Sequence, residues 1–163
     1  LPNEWEFGST YIARILEGVV TMLKGIPKIL SPELLAILME MGHGDELVIG
    51  DGNFPAAAYA QRLVRADGHQ IPELLDAILQ LYPLDPYSKN AVCLMEVVPG
   101  DPVKTPIWDE YRQIVKKYEP EAEFEKIERF AFYERAKQAY AILATGEAAL
   151  YANIILKKGV VVE

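Results

Sequence analysis

Between residues 31 and 156 the chain alternates segments of helical apolar spacing with short, nearly unbroken apolar runs, and this alternation restricts the fold more than any other feature. Residues 32–41 predict a helix. Ser31 is a good N-cap, Pro32 suits the first helical position, and Glu33 complements the positive end of the dipole. Leu34, Leu35, Leu38 and Met41 form its apolar face, and Gly42 is expected to stop it. Residues 46–50 read as a buried strand around Leu47-Val48-Ile49. Alanines at 56, 57, 58 and 60 favour a helix after Pro55. A strand over 63–65 turns at Asp67-Gly68, and a helix over 72–81 points Leu74, Leu75, Ile78 and Leu81 inward. Pro83-Leu84-Asp85-Pro86 ends that helix. A strand over 91–98 and a loop through Pro99, Gly100, Asp101 and Pro102 follow. The pattern continues with helix 107–118, strand 124–127, helix 129–139, and strands 140–145 and 153–156. Such alternation predicts an α/β fold: a single three-layer domain with a central, mainly parallel or mixed sheet flanked by helices.

At 163 residues one domain can bury a real core. A net charge of -8 disfavours nucleic acid, whose phosphates need clustered Lys and Arg, and equally an anionic membrane. A neutral ligand is indifferent to that sign. Cys93 is alone, so no internal disulfide forms, and its setting in Ala91-Val92-Cys93-Leu94-Met95 predicts a buried apolar role. With two separated histidines and no Cys pair, no metal site is expected. No segment approaches the ~20 apolar residues of a membrane span, and the first residues lack the parts of a secretory signal, so a cytoplasmic protein is expected.

The chemistry concentrates in Met41-Gly42-His43-Gly44-Asp45-Glu46 and, after the strand, Asp51-Gly52-Asn53-Phe54-Pro55. Glycines flanking His43 leave its ring uncovered, and histidine is the side chain that titrates nearest neutrality. It could equally cap helix carbonyls. Asp51 could bind a ligand as an acceptor or simply start an Asx-turn. Tyr133 and Tyr140 are expected as core aromatics, with Tyr133 kept as a second candidate catalytic residue. His69 is expected in solvent, and Glu119, Glu121, Glu123, Glu125 and Glu128 on an exposed face.

These two motifs are followed in order by Arg65-Ala66-Asp67-Gly68, Arg129-Phe130-Ala131-Phe132-Tyr133-Glu134-Arg135 and Tyr151-Ala152-Asn153-Ile154-Ile155-Leu156-Lys157-Lys158-Gly159. Together they resemble the RbsD/FucU family of sugar mutarotases, and its fucose branch more than its ribose pyranase branch. The resemblance runs from about Met22 to the C-terminus, which leaves residues 1–21 as an N-terminal extension, native or not, with a helical period at Ile12, Ile15, Leu16, Val19 and Val20. It implies a cofactor-free enzyme that interconverts the α and β anomers of L-fucose, with His43 as proton donor. It implies sugar contacts from Asp51, Arg129, Tyr151, Ala152 and Asn153. Ala152 stands where family members carry glycine; a positive φ there would strain it by about 1 kcal/mol or more. Ring-shaped homodecamers with sites near subunit boundaries are also implied.

One geometric expectation supports the last point. An extended 46–50 segment spans roughly 15 Å at ~3.3 Å per residue, which separates His43 from Asp51. Either the Gly-His-Gly segment folds back or the site is assembled between subunits. Alternative functions are a D-ribose pyranase or broad-range mutarotase, a monosaccharide-binding module without catalysis, and a ligand-free structural subunit.

Overall fold

The computed structural model describes residues 22–163; the extension expected over residues 1–21 lies outside the described residues. Six strands form one mixed sheet: β1 (Glu46–Gly50), β2 (Leu63–Ala66), β3 (Val92–Met95), β4 (Phe124–Ile127), β5 (Ala141–Thr145) and β6 (Ile154–Lys157), in the order β2-β5-β1-β6-β3-β4. β1, β2 and β5 run parallel, as do β3 and β4, while β6 is antiparallel to both its neighbours, β1 and β3.

Among the described residues five helices cover the two faces: α1 (Pro32–Glu40), α2 (Ala56–Tyr59), α3 (Ile71–Leu79), α4 (Ile107–Tyr118) and α5 (Arg129–Gln138). Strand alternation sorts the core into two layers. Leu47, Ile49, Leu94, Leu143, Ile154 and Leu156 pack with α1, α3 and α4. Val48, Cys93, Ile142 and Ile155 point the other way, onto α2 and α5. A sheet covered on both faces needs apolar residues at successive positions, which is why its central strands read as unbroken runs. The three-layer expectation therefore holds, with the sheet mixed.

Local departures from expectation have physical causes. Ser31 Oγ accepts from the Leu34 N–H, and Pro32 opens α1 as expected. The helix nevertheless ends at Glu40 with Met41 extended; Gly42 does not cap it but donates its N–H to Asp45. The left-handed glycine is Gly44, at φ +86°. β3 is half the expected length, since the chain leaves the sheet before Pro99. The acidic run is only partly an open face. Glu125 pairs with Arg135 beside Glu46, and Glu128 accepts the N–H groups of Phe130 and Ala131 as the N-cap of α5. His69 is half-buried and paired with Glu73 rather than free in solvent. Tyr140 is not a core aromatic: it is half-buried beneath the Arg62 guanidinium, with its hydroxyl donating to Glu40. Cys93 is fully buried, which pushes its thiol up to about 12 and leaves it inert at neutral pH.

Candidate active site

The predicted functional residues fall at the two opposite ends of β1. Asp51 follows the last residue of that strand, and its carboxylate is buried. It accepts the Asn53 N–H at 2.9 Å, the Asx-turn expected of it, while the Phe54 N–H bonds the Asp51 backbone carbonyl at 3.1 Å. Burial pushes the Asp51 carboxyl up, aided by the nearby Glu147 charge; the backbone donors only partly oppose this. The Asp51 N–H donates at 2.8 Å to Asn153 Oδ1. That bond fixes the orientation of the Asn153 amide, so its NH2 is left to donate elsewhere. Behind the turn, Thr145 donates to the Gly50 carbonyl at 2.8 Å, and the Glu147 carbonyl takes the Gly52 N–H. The buried Glu147 carboxylate accepts from Ile71 and Ala149.

Because β6 runs antiparallel, its entry lies at this same end and delivers Tyr151, Ala152 and Asn153 beside Asp51. The strain anticipated for Ala152 does not arise there. Tyr151 takes the positive φ, +55°, and is the one described non-glycine residue that does. Trp108 Nε1 donates to the Tyr151 carbonyl at 2.8 Å, and the Tyr111 hydroxyl to the Ala152 carbonyl at 2.7 Å. Ala152 is fully buried and contributes through its backbone. The Tyr151 phenol donates to Asp101 Oδ2 at 2.8 Å. Arg129 opens α5 beyond β4, exposed and lying over the Phe130 ring, and its charge reaches the Tyr151 phenol. Tyr133 is half-buried in an aromatic cluster with Phe54, Tyr59 and Phe130, at ring separations of 5.8, 5.5 and 6.2 Å.

His43 lies at the other end, in the α1–β1 connection. Gly44 pays for the reversal with its left-handed backbone, and its N–H bonds the Lys158 carbonyl at 2.8 Å. The His43 side chain is 47% exposed, and its Nε2 lies 3.1 Å from Asp85 Oδ1. Asp85 is held there by the exit of β6: its N–H bonds the Lys157 carbonyl, and Gly159 lies so close that a Cβ would meet the Leu84 carbonyl oxygen at 2.5 Å. Burial alone would push the Asp85 carboxyl up. The Tyr87 N–H and His43 outweigh it and hold the group below the usual carboxylate range. An ionised carboxylate can only accept, so Nε2 carries the hydrogen and Nδ1 is the nitrogen left to exchange protons.

The predicted residues thus fall into two clusters: Asp51, Arg129, Tyr151, Ala152 and Asn153 at one edge, His43 with Asp85 at the other. Sequence reasoning missed Asp85, Asp101 and Glu147. Asp85 stood in a helix-ending Pro-rich turn and Asp101 in a Pro-Gly loop, and no periodicity reports a partner 42 or 50 residues away. An open depression of about 490 Å³ beside Trp108, lined by Lys104, Arg112 and Lys126, contains none of the predicted residues. Among the described residues no helix is long and apolar enough to cross a membrane, and no three His, Cys, Asp or Glu side chains are grouped to hold a metal ion.

Several known proteins resemble this chain over most of its length. Fucose mutarotase of Danio rerio is 52% identical over 148 residues, which cover 87% of this chain and 96% of that protein. L-fucose mutarotase of Glaesserella parasuis is 50% identical over 140 residues, covering 85% and 96% respectively. The crystal structure of the fucose mutarotase from Streptococcus pneumoniae in complex with L-fucose matches with a TM-score of 0.81 at 55% identity, covering 86% of this chain and all of that one. The model of the RbsD / FucU transport protein family matches residues 24–161. With that match over most of its length, the chain belongs to that family.

Proposed function

We propose that this protein is an L-fucose mutarotase, a cofactor-free isomerase that equilibrates the α and β anomers of the free sugar. The observation that carries the reading is identity of about half over nearly the whole length of fucose mutarotases, one of them solved with L-fucose. In the reaction a proton is delivered to the ring oxygen while the anomeric hydroxyl loses one, and the bond from C1 to the ring oxygen breaks to give the open-chain aldehyde. Rotation about C1–C2 presents the other carbonyl face. The hydroxyl then adds to C1 with the proton transfers reversed. His43 is the proton donor: as the imidazolium it gives up the Nδ1 proton while Asp85 keeps the one on Nε2, and the neutral ring left behind takes a proton back at Nδ1. Tyr133 is the candidate second proton carrier. A positioned acid or base of this kind contributes about 10²–10⁴-fold.

Asp51 and Arg129 supply an acceptor and a fork of donors to the sugar hydroxyls, and Asn153 donates through its amide. Ala152 takes part through its backbone beside Asp51. His43 and this set lie at opposite ends of one strand, so we assign the complete site to two copies of the chain, one supplying His43 and the next the sugar-binding cluster. A homodecamer, as the family resemblance implies, is the assembly we expect, acting in the cytoplasm, where the lone Cys93 stays reduced. Residues 1–21 stand outside the mutarotase unit, 22–163.

The decisive test is NMR saturation transfer between the anomers of L-fucose, with D-ribose in parallel. Exchange well above the spontaneous rate, greater for fucose, is expected. No acceleration by a folded oligomer would sink the assignment in favour of a binding module. A larger effect on ribose would make the protein a pyranase.

A further inference from the structure

Asp101 has no role in the proton chemistry above, yet the strained residue of the sugar-binding cluster is tied to it. Its carboxylate is anchored in its own loop: Oδ1 accepts the Val103 N–H at 3.1 Å, and the Asp101 N–H bonds the Val98 carbonyl at 3.0 Å. Oδ2 takes the hydrogen of the Tyr151 phenol at 2.8 Å, and the Val98 N–H points at the phenol oxygen from 3.4 Å. A phenol has one hydrogen and two lone pairs. Here the hydrogen goes to Asp101 and one lone pair faces Val98, so a single lone pair remains for a ligand.

We propose that Asp101 is a positioning residue of the sugar site: by holding the phenolic hydrogen it makes Tyr151 a pure acceptor, which must be met by a sugar hydroxyl turned to donate. The inference rests on the mutarotase reading and sharpens it. Asn153 is treated in the opposite sense, its oxygen occupied by the Asp51 N–H so that only its NH2 is offered. The cluster therefore offers two acceptors, Asp51 and Tyr151, and two donors, Asn153 and Arg129. A hydroxyl can serve either way, so a site of fixed polarity dictates the hydrogen-bond direction of each hydroxyl it holds.

The charged groups that act on the phenol are Asp101, from the loop after β3, and Arg129, from α5; the element packed beneath, α4, contributes the uncharged Trp108. The hydrogen bond to Asp101 holds the phenol's proton more tightly than usual, while Arg129 works against it.

The experiment uses the full-length assembled protein and compares Asp101→Asn, Tyr151→Phe and the double variant in anomer exchange. Asp101→Asn keeps an oxygen for Val103 but turns an NH2 toward the phenol, freeing its hydrogen to point at the sugar. KM for L-fucose should rise about tenfold with kcat nearly unchanged, and the double variant should be no worse than Tyr151→Phe. Losses that add, or an unchanged KM, would overturn the proposal. A second readout needs no sugar. Subtracting the ultraviolet phenolate titration of each protein's Tyr151→Phe counterpart isolates this phenol, and Asp101→Asn should lower its midpoint; an unmoved midpoint overturns the tie. An inactive wild type would sink the mutarotase reading, and the sugar-orienting role with it, while the titration would still decide the hydrogen bond.

Discussion

The two ends of β1 are built in contrasting ways. At the Asp51 end the turn is held by hydrogen bonds with Asn53, Asn153, Thr145 and Glu147, and the side chains of Asp51, Asn153, Thr145 and Glu147 are buried. At the His43 end a half-exposed ring on a glycine-flanked loop hangs from one buried carboxylate. The difference follows from what each end does in the proposed reaction. Groups that hold a sugar must keep their geometry without it, because ordering them on binding would weaken affinity. A group that passes protons must reach a second copy of the chain and keep one nitrogen open. The two carboxylates titrate in opposite senses for the same reason: Asp51 is pushed up by burial, whereas Asp85 ends below its usual range through its N–H donors.

The largest effect should come from breaking the weaker-built end. His43→Ala should cost at least about 10²-fold in catalysed anomer exchange while calorimetric binding of L-fucose survives; a retained rate would remove His43 from the chemistry. Next, His43→Ala and Asp51→Asn subunits, each inactive alone, should regain about a quarter of wild-type activity when co-assembled in equal amounts, since a random neighbour pair then combines the two intact ends one time in four. Mixed assemblies that stay dead would place each site within a single chain.

Acid separates the two ends more gently. As pH falls, Asp51 takes its proton first, so KM should rise at a pH above the ordinary carboxylate value of about 3.9, before the His43–Asp85 pair is lost. The signs for stability are opposite. Asp85 contributes stability that is present above the ordinary value and is lost as pH falls through its own lowered one. The Asp51 contribution is present below the ordinary value and is lost as pH rises through its raised one. A pH series of KM and thermal midpoints, with Asp85→Asn removing the first contribution, checks both. The smallest effect is expected from Gly44→Ala, which forces a side chain into φ +86° at a cost of about 1 kcal/mol, or roughly 2–4 °C in thermal midpoint. A larger drop in activity than in stability would show that this backbone aims the His43 ring.

Much of this was legible in the chain because local physics wrote it there. Ser31-Pro32-Glu33 announces α1, and the bounds of α4, β1 and β4 coincide with changes of apolar spacing. Asp51 reads as a turn former and is one. The separation of His43 from Asp51 also followed from strand rise alone. What local physics could not report is any partner chosen by the sheet. The Asp85–His43 pair exists because β6 exits beside both, and the positive φ fell on Tyr151 rather than Ala152 because Trp108 and Tyr111 hold the two carbonyls. Gly42 carried the right signal for a helix cap, but Asp45 captured its N–H instead.

The position of β6 has a consequence for how the protein is made. β1 forms early in the sequence, yet both strands that flank it, β5 and β6, are the last two of the described strands. A nascent chain therefore carries an apolar central strand with no neighbours for about ninety residues, and such long-range closure is slow. Neither half of the site can exist before then, because one gathers at the entry of β6 and the other at its exit. A chain cut before residue 152 holds most of the described core residues but lacks β6 and the clusters gathered around its two ends. The Leu47-Val48-Ile49 segment is thus without either strand partner while residues 51–140 are being made.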